Sequence, residues 1–172
     1  MKKVLLSVII ALLLAGSALL SGCSQKQITI ASEGFSEYVL IRPDESSNEL
    51  WKAAGVIHKG INGECGESTI EYTTDWVNRG EEVPIGTKEI LFGLTNRPES
   101  EAAYALIPQR LNNMYDYAIK FDGTRIAIAG GSDAALAMAA EYFNETFIKD
   151  GAVKLPENLE YVYRHPFPEI TI

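Results

Sequence analysis

The chain has 172 residues, 15 of them basic and 23 acidic, with a formal charge of -8 and 47% hydrophobic content. An acidic surface of this kind repels phosphate backbones and anionic headgroups, which sets nucleic acid aside as a partner. The acids are spread along the chain and not gathered in a tail, the pattern of a solvated surface.

Lys2 and Lys3 precede an almost wholly aliphatic stretch, 4–14, which Ala15-Gly16-Ser17-Ala18 loosens before Leu20-Ser21-Gly22-Cys23. A cationic start, a short apolar segment and a small-residue cleavage site are the three zones of a secretion signal. The stretch is too short and broken for a spanning helix, which needs about 20 apolar residues. Leu20-Ser21-Gly22-Cys23 resembles the lipobox of bacterial lipoproteins. The resemblance implies a signal peptide over 1–22 and a mature chain starting at Cys23, with a thioether-linked diacylglyceryl group and an acylated, palmitate-type amino terminus. Each buried methylene contributes about 0.8 kcal/mol, and durable anchoring takes more than one acyl chain. The expected address is therefore extracytoplasmic, lipid-anchored to the bacterial cell membrane.

Removing 1–22 takes away Lys2 and Lys3 and no acid, so the mature chain is more acidic still. With Cys23 committed to lipid, Cys65 is the remaining thiol and no intramolecular disulfide can form. Asn62-Gly63-Glu64-Cys65-Gly66 holds no second cysteine and no histidine, which argues against metal or nucleophilic chemistry there. A body of about 135 residues suits one domain that buries about two-thirds of its unfolded surface.

Ser24-Gln25-Lys26-Gln27 is polar and aperiodic. Ile28-Thr29-Ile30 is a strand fragment at most, so 23–36 is assigned to the lipidated cysteine and a tether, with a reach of about 40 Å for about 12 residues. The first strand is 38–42, ended by Pro43-Asp44. Ser46-Ser47-Asn48-Glu49 then offers a capping box, serine followed three residues later by glutamate. The helix that follows carries Leu50, Ala54, Ile57 and Ile61 on one face, with Gly60 or Gly63 as its stop. Strands are expected at 69–73 and 88–93, separated by a polar loop, 75–86. Thr95 or Asn96 caps a short helix with Pro98 in its first turn, halted by Pro108. Asp122-Gly123 joins 115–121 and 125–129 as an antiparallel hairpin. Gly130-Gly131-Ser132-Asp133 opens a long helix with Leu136, Ala139, Phe143 and Phe147 as its buried stripe. The end, 151–172, has Pro156, Pro166 and Pro168 and reads as an extended arm, with 160–163 pairing on an edge. The α/β module is thus 37–150, an α/β (α+β) fold with a single mixed sheet and helices packed on it.

Two segments carry a family resemblance. They are Glu89-Ile90-Leu91-Phe92-Gly93-Leu94-Thr95-Asn96-Arg97-Pro98-Glu99-Ser100, and Tyr117-Ala118-Ile119 through Arg125-Ile126-Ala127-Ile128-Ala129-Gly130-Gly131-Ser132-Asp133. Both resemble the small α/β module ahead of the catalytic barrel in bacterial β-hexosaminidases and α-glucuronidases. A similar module precedes other catalytic domains in surface proteins of anaerobic Gram-positive bacteria. The likeness covers 38–147. It implies a sheet with two helices on one face and a supporting role, because the catalytic carboxylates of those enzymes belong to a following barrel of about 250 residues.

The site candidates are few. Trp76, beside Asp75, Asn78 and Arg79 in a polar loop, is the first choice for stacking on a sugar face, set against partial packing as its simpler role. Trp51 is the second, set against core packing as its simpler role. Arg97 would project from a strand end, where ligands meet open sheets. Its simpler task is to hydrogen-bond loop carbonyls or to pair with Glu99 or Glu101. The Gly130-Gly131-Ser132-Asp133 turn reads as a capped tight turn more than an anion site, since Asp133 already places negative charge there. Glu81 and Glu82 are adjacent loop residues with no glycosidase separation. His58 and His165 match no metal or triad pattern.

The expectation is a non-enzymatic lipoprotein, held to the membrane through lipid on Cys23. It would serve as an accessory or binding module for carbohydrate or cell-envelope polymer, with no cofactor, no metal and no catalytic residue. The alternatives are a small glycan-acting hydrolase with a site assembled from loops, and a protein-interaction module docking on a separate partner.

Overall fold

The computed structural model describes residues 25–166. Cys23 and the rest of the lipobox, like the last six residues of the arm, lie outside the described residues. In chain order the strands and helices begin with β1 (Gln27–Ser32), β2 (Phe35–Ser36), β3 (Val39–Arg42) and α1 (Asn48–Cys65). There follow β4 (Glu71–Thr74), β5 (Glu89–Phe92), α2 (Pro98–Tyr104), β6 (Tyr117–Phe121) and β7 (Ile126–Gly130). The last are α3 (Asp133–Phe147), β8 (Ile148–Lys149), β9 (Ala152–Pro156) and β10 (Glu160–Tyr163).

A six-stranded mixed sheet, in the order β10-β6-β7-β5-β3-β4, is the centre of the domain. Strands β4, β3, β5 and β7 run parallel, while β6 pairs antiparallel with β7 through the expected Asp122-Gly123 turn and β10 pairs antiparallel with β6. Side chains alternate across a strand, so each strand feeds two layers. Leu40, Ile90, Phe92, Ile126 and Ile128 meet α1 and α3 on one face. Ile41, Leu91, Ala127 and Ala129 meet Ala103 of α2 and Ile107 beyond it on the other. The alanines let the short helix lie close to the sheet. Leu50, Ala54, Ile57 and Ile61, and Leu136, Ala139, Phe143 and Phe147, are buried as their spacing predicts.

Several details differ from expectation: there are two sheets where a single one is expected, and α2 starts after Arg97 with no side-chain cap from Thr95 or Asn96. The cap of α1 is Ser47, whose Oγ accepts from the Leu50 amide at 3.0 Å, one residue after the serine of the proposed capping box. The helix runs through Gly60 and Gly63 and stops at Gly66, where φ is 122°. Gly60 is tolerated because α3 crosses there: a Cβ would sit 2.5 Å from Asn144 Nδ2, which donates to the Val56 carbonyl at 3.0 Å. The tether assignment is corrected most, since Gln27–Ser32 and Phe35–Ser36 are strands and only residues before Gln27 precede the domain. They find their partner in the supposed arm, where β9 pairs with β1 in a second, four-stranded sheet of order β2-β1-β9-β8. Ile30, Val153 and Leu155 join the core that α1 and α3 share, so burial fixes this pairing across more than a hundred residues of chain.

The turn between β7 and α3 has no room to spare. Gly131 donates to the Asp116 carbonyl at 2.9 Å, and a Cβ on Gly131 would run into the Asn113 carbonyl oxygen of the adjoining 3-10 turn. Overpacking of this kind costs about 1–3 kcal/mol, so Gly131→Ala should lower the urea midpoint by that equivalent, with an unchanged slope.

Candidate ligand crevice at the carboxyl edge of the sheet

Because β4, β3, β5 and β7 are parallel, their carboxyl ends, Thr74, Arg42, Phe92 and Gly130, lie along one edge. After β3 the chain passes to α1 on one face, and after β5 it passes to α2 on the other. Neighbouring strands whose connections diverge to opposite faces leave a crevice between them, the place where open α/β sheets bind ligands. Gly93 makes this exit with φ at 84°, a conformation that glycine adopts without penalty, and donates to the Ile128 carbonyl at 2.9 Å. Leu94 follows, 59% exposed.

The loops around the crevice are braced by Asp75. Its Oδ1 accepts from the Asp44 amide at 2.8 Å, its Oδ2 from the Asn96 amide at 2.8 Å, and its carbonyl from Asn96 Nδ2 at 2.6 Å. One buried carboxylate therefore ties together the loops after β3, β4 and β5. Trp76 projects from this base and is 62% exposed. It lines an open depression with Pro43, Asp44, Glu45, Asp75, Val77 and Asn96. A neighbouring depression is lined by Arg42, Asp44, Ser46, Asn48 and Trp51. Asp44 lines both, so the two depressions adjoin there.

Trp51 is 52% exposed. Core packing, its simpler role, does not hold: it sits one position past Leu50, about 100° around the helix from the buried stripe. The structure thus brings Trp76 and Trp51 to the same edge, a relation that spacing of 25 residues does not reveal.

Arg97 is corrected as a ligand contact. It is 4% exposed, and its Nε and Nη2 donate to Glu89 Oε2 and Oε1 at 3.1 and 3.0 Å, while Nη1 donates to Asn96 Oδ1. The partner is neither Glu99 nor Glu101. Arg125 completes the group, with Nε 2.9 Å from Glu89 Oε2, at an angle outside hydrogen-bond geometry, and Nη1 donating to Glu99 at 2.9 Å. Arg125 Nη2 also donates to the Pro84 carbonyl at 2.5 Å and Thr87 Oγ1 at 2.9 Å, fixing the loop that carries Trp76 at its far end.

The remaining candidates have structural tasks. Ser132 caps α3, its Oγ accepting from the Ala135 amide at 3.2 Å, and Asp133 accepts from Ser47 Oγ at 2.6 Å, which joins the starts of α1 and α3. His58 Nε2 bridges the Ile70 carbonyl and Asn62 Nδ2 at 3.2 and 3.1 Å. Glu81 accepts from Asn78 at 3.0 Å in an exposed loop. Cys65 is buried, its thiol pushed up by burial and by the charge of Glu64. Among the described residues no group of histidine, cysteine, aspartate or glutamate is arranged to hold a metal ion, and no helix is long and apolar enough to cross a membrane.

The domain is therefore a mixed α+β fold with helices packed on mixed sheets. No protein-family model matches the chain, and no curated protein matches it. Among solved structures, it is similar to CpGH84D, a glycoside hydrolase family 84 protein, with a TM-score of 0.50 and 13% identity over 77% of this chain. The chain spans 20% of that protein's length, and the likeness is one of fold.

Proposed function

We propose that the chain is a membrane-anchored extracytoplasmic lipoprotein whose α/β domain is a non-catalytic accessory module for carbohydrate or cell-envelope polymer. The observation that carries the binding half is the pair of exposed tryptophans at the carboxyl edge, lining two depressions that share Asp44. Apolar indole faces suit the C–H face of a pyranose ring, and Asp44, Ser46 and Asn48 offer partners for its hydroxyls. The Asp75 brace fixes the backbone from which Trp76 projects, which reduces the ordering cost of binding. The fold likeness to a glycoside hydrolase is compatible with a carbohydrate setting.

The anchoring half is supported by Lys2, Lys3 and Leu20-Ser21-Gly22-Cys23. The full chain should partition into detergent, and Cys23→Ser should move it to the aqueous phase; equal partitioning of the two would count against lipidation. The non-catalytic reading is supported by Asp75, the buried acid of the depression, both of whose oxygens are committed to backbone amides. Hydrolysis of chromogenic glycosides by the purified protein would overturn it.

Binding is tested by retention of the mature domain on a panel of insoluble polysaccharides and peptidoglycan. Trp76→Ala should weaken retention on whichever polymer binds by about tenfold, the loss of one central aromatic contact.

A further inference from the structure

The point where the chain enters the fold, at Lys26, and the crevice lie at opposite ends of the domain. The place of the anchor follows from that point, and it rests on the lipid reading of Cys23. The Lys26 carbonyl accepts from the Glu157 amide at 2.8 Å and its ammonium pairs with the Glu157 carboxylate at 3.1 Å, so the chain is pinned immediately before β1. Gln27 pairs with Pro156, and two residues after Glu157 the Leu159 carbonyl accepts from the Phe121 amide at 2.8 Å. Phe121 closes β6 at the Asp122-Gly123 turn, which is the amino edge of β7. The other end of β1 is held at the same edge, where Gly34 donates to the Cys65 carbonyl, the last residue of α1, at 2.7 Å. The amide of Gly151, between β8 and β9, donates to Glu64 Oε1 at 2.9 Å. The second sheet thus closes over the carboxyl ends of α1 and α3, at the amino edge of the parallel strands.

Helix α1 measures the separation. It begins at Ser47, beside the crevice, and ends at Cys65, beside the second sheet. Its 18 residues rise about 27 Å. Cys23 is three residues from Lys26, a reach of at most about 10 Å, far short of the height of the domain. A tether this short keeps the end of the domain that carries Lys26 close to the bilayer, so in an upright domain the carboxyl edge is the far end.

We infer that the anchored protein stands on the membrane by its second sheet and the β6–β7 turn, with Trp51 and Trp76 held outward. The occupant of the crevice is then a polymer lying clear of the bilayer, and not the headgroup of a glycolipid in the membrane that holds the anchor.

The chain's two tryptophans are both at the outward end and serve as native probes. The lipidated mature protein is reconstituted on phosphatidylcholine vesicles containing a lipid with a dansyl headgroup. Energy transfer from tryptophan is compared with that of a Trp51→Phe/Trp76→Phe protein carrying Thr124→Trp, an exposed position in the β6–β7 turn. Transfer from the native tryptophans should be several-fold weaker than from the Thr124→Trp protein. Equal or stronger transfer from Trp51 and Trp76 would overturn the orientation. Loss of vesicle co-sedimentation by the lipidated protein would overturn the anchor, and the orientation with it. A correct orientation with no retained polymer would leave the geometry standing and remove the binding half of the proposed function.

Discussion

Glu89→Ala should destabilise the domain by about 3–5 kcal/mol, the cost of removing one partner from a buried ion pair and leaving charge without compensation. The substitution leaves two such charges. Arg97 and Arg125, each 4% exposed, both face the Glu89 carboxylate, and Glu99 reaches Arg125 alone. The group links β5, the start of α2 and the residue before β7, so its loss loosens the alanine-lined layer and, through Pro84 and Thr87, the loop that leads back to Trp76. Urea unfolding followed by far-ultraviolet circular dichroism measures it. The exposed pair of Lys26 and Glu157 supplies the contrast, and Glu157→Ala should shift the midpoint little. A Glu89→Ala protein as stable as its parent would mean that the buried charges find water.

Asp116→Ala should cost about 3 kcal/mol, at the lower end of the same range because the Arg110 side chain keeps 26% exposure. The Asp116 side chain is fully buried. Its oxygens accept from Arg110 Nε and Nη2 at 2.8 and 2.6 Å and from the His165 amide at 2.8 Å, which fastens the chain after β10 to the sheet edge. Burial pushes this carboxyl upward, but the Arg110 hydrogen bonds, the His165 amide and the nearby positive charge outweigh it and hold the group below the usual aspartate range. A folded value below the unfolded one stabilises the protein at pH above the unfolded value of about 3.9 and ceases to do so as pH falls through the folded value. Stability of the parent should therefore drop on acidification below about pH 4, with a steeper fall than in Asp116→Asn, which has no proton to gain. Identical acid profiles for the two proteins would contradict the assignment.

What the sequence made legible is what short-range pattern encodes. Leu50, Ala54, Ile57 and Ile61 announce α1, and Asp122-Gly123 announces the β6–β7 turn, because helix periodicity and turn chemistry are local. The second sheet was not legible. Gln27 and Pro156 are far apart in sequence, and their strands are short, with a register irregularity between Thr29 and Ala31. Such pairing follows from burial against α1 and α3, which no window of sequence displays. Gly60 misled for a similar reason, since its missing side chain answers to Asn144 on another helix. At the site, the aromatic character of Trp76 and its polar neighbours were readable, but the exposure of Trp51 depends on which side of Leu50 the sheet lies. For Arg97 the sequence offers loop carbonyls and the acids of its own helix as partners, while the sheet beneath supplies Glu89.

The central claim is that the carboxyl edge binds a glycan polymer through its two indoles. The direct test is the dissociation constant of the mature domain for a polysaccharide or peptidoglycan fraction, measured in parallel for Trp76→Ala, Trp51→Ala and Phe35→Ala. Phe35 is an equally exposed ring, at 67%, in the second sheet at the opposite end of the domain. The proposal predicts about tenfold weaker binding for each tryptophan variant and parental affinity for Phe35→Ala. Binding that survives both tryptophan substitutions, or that falls equally with Phe35→Ala, would contradict it.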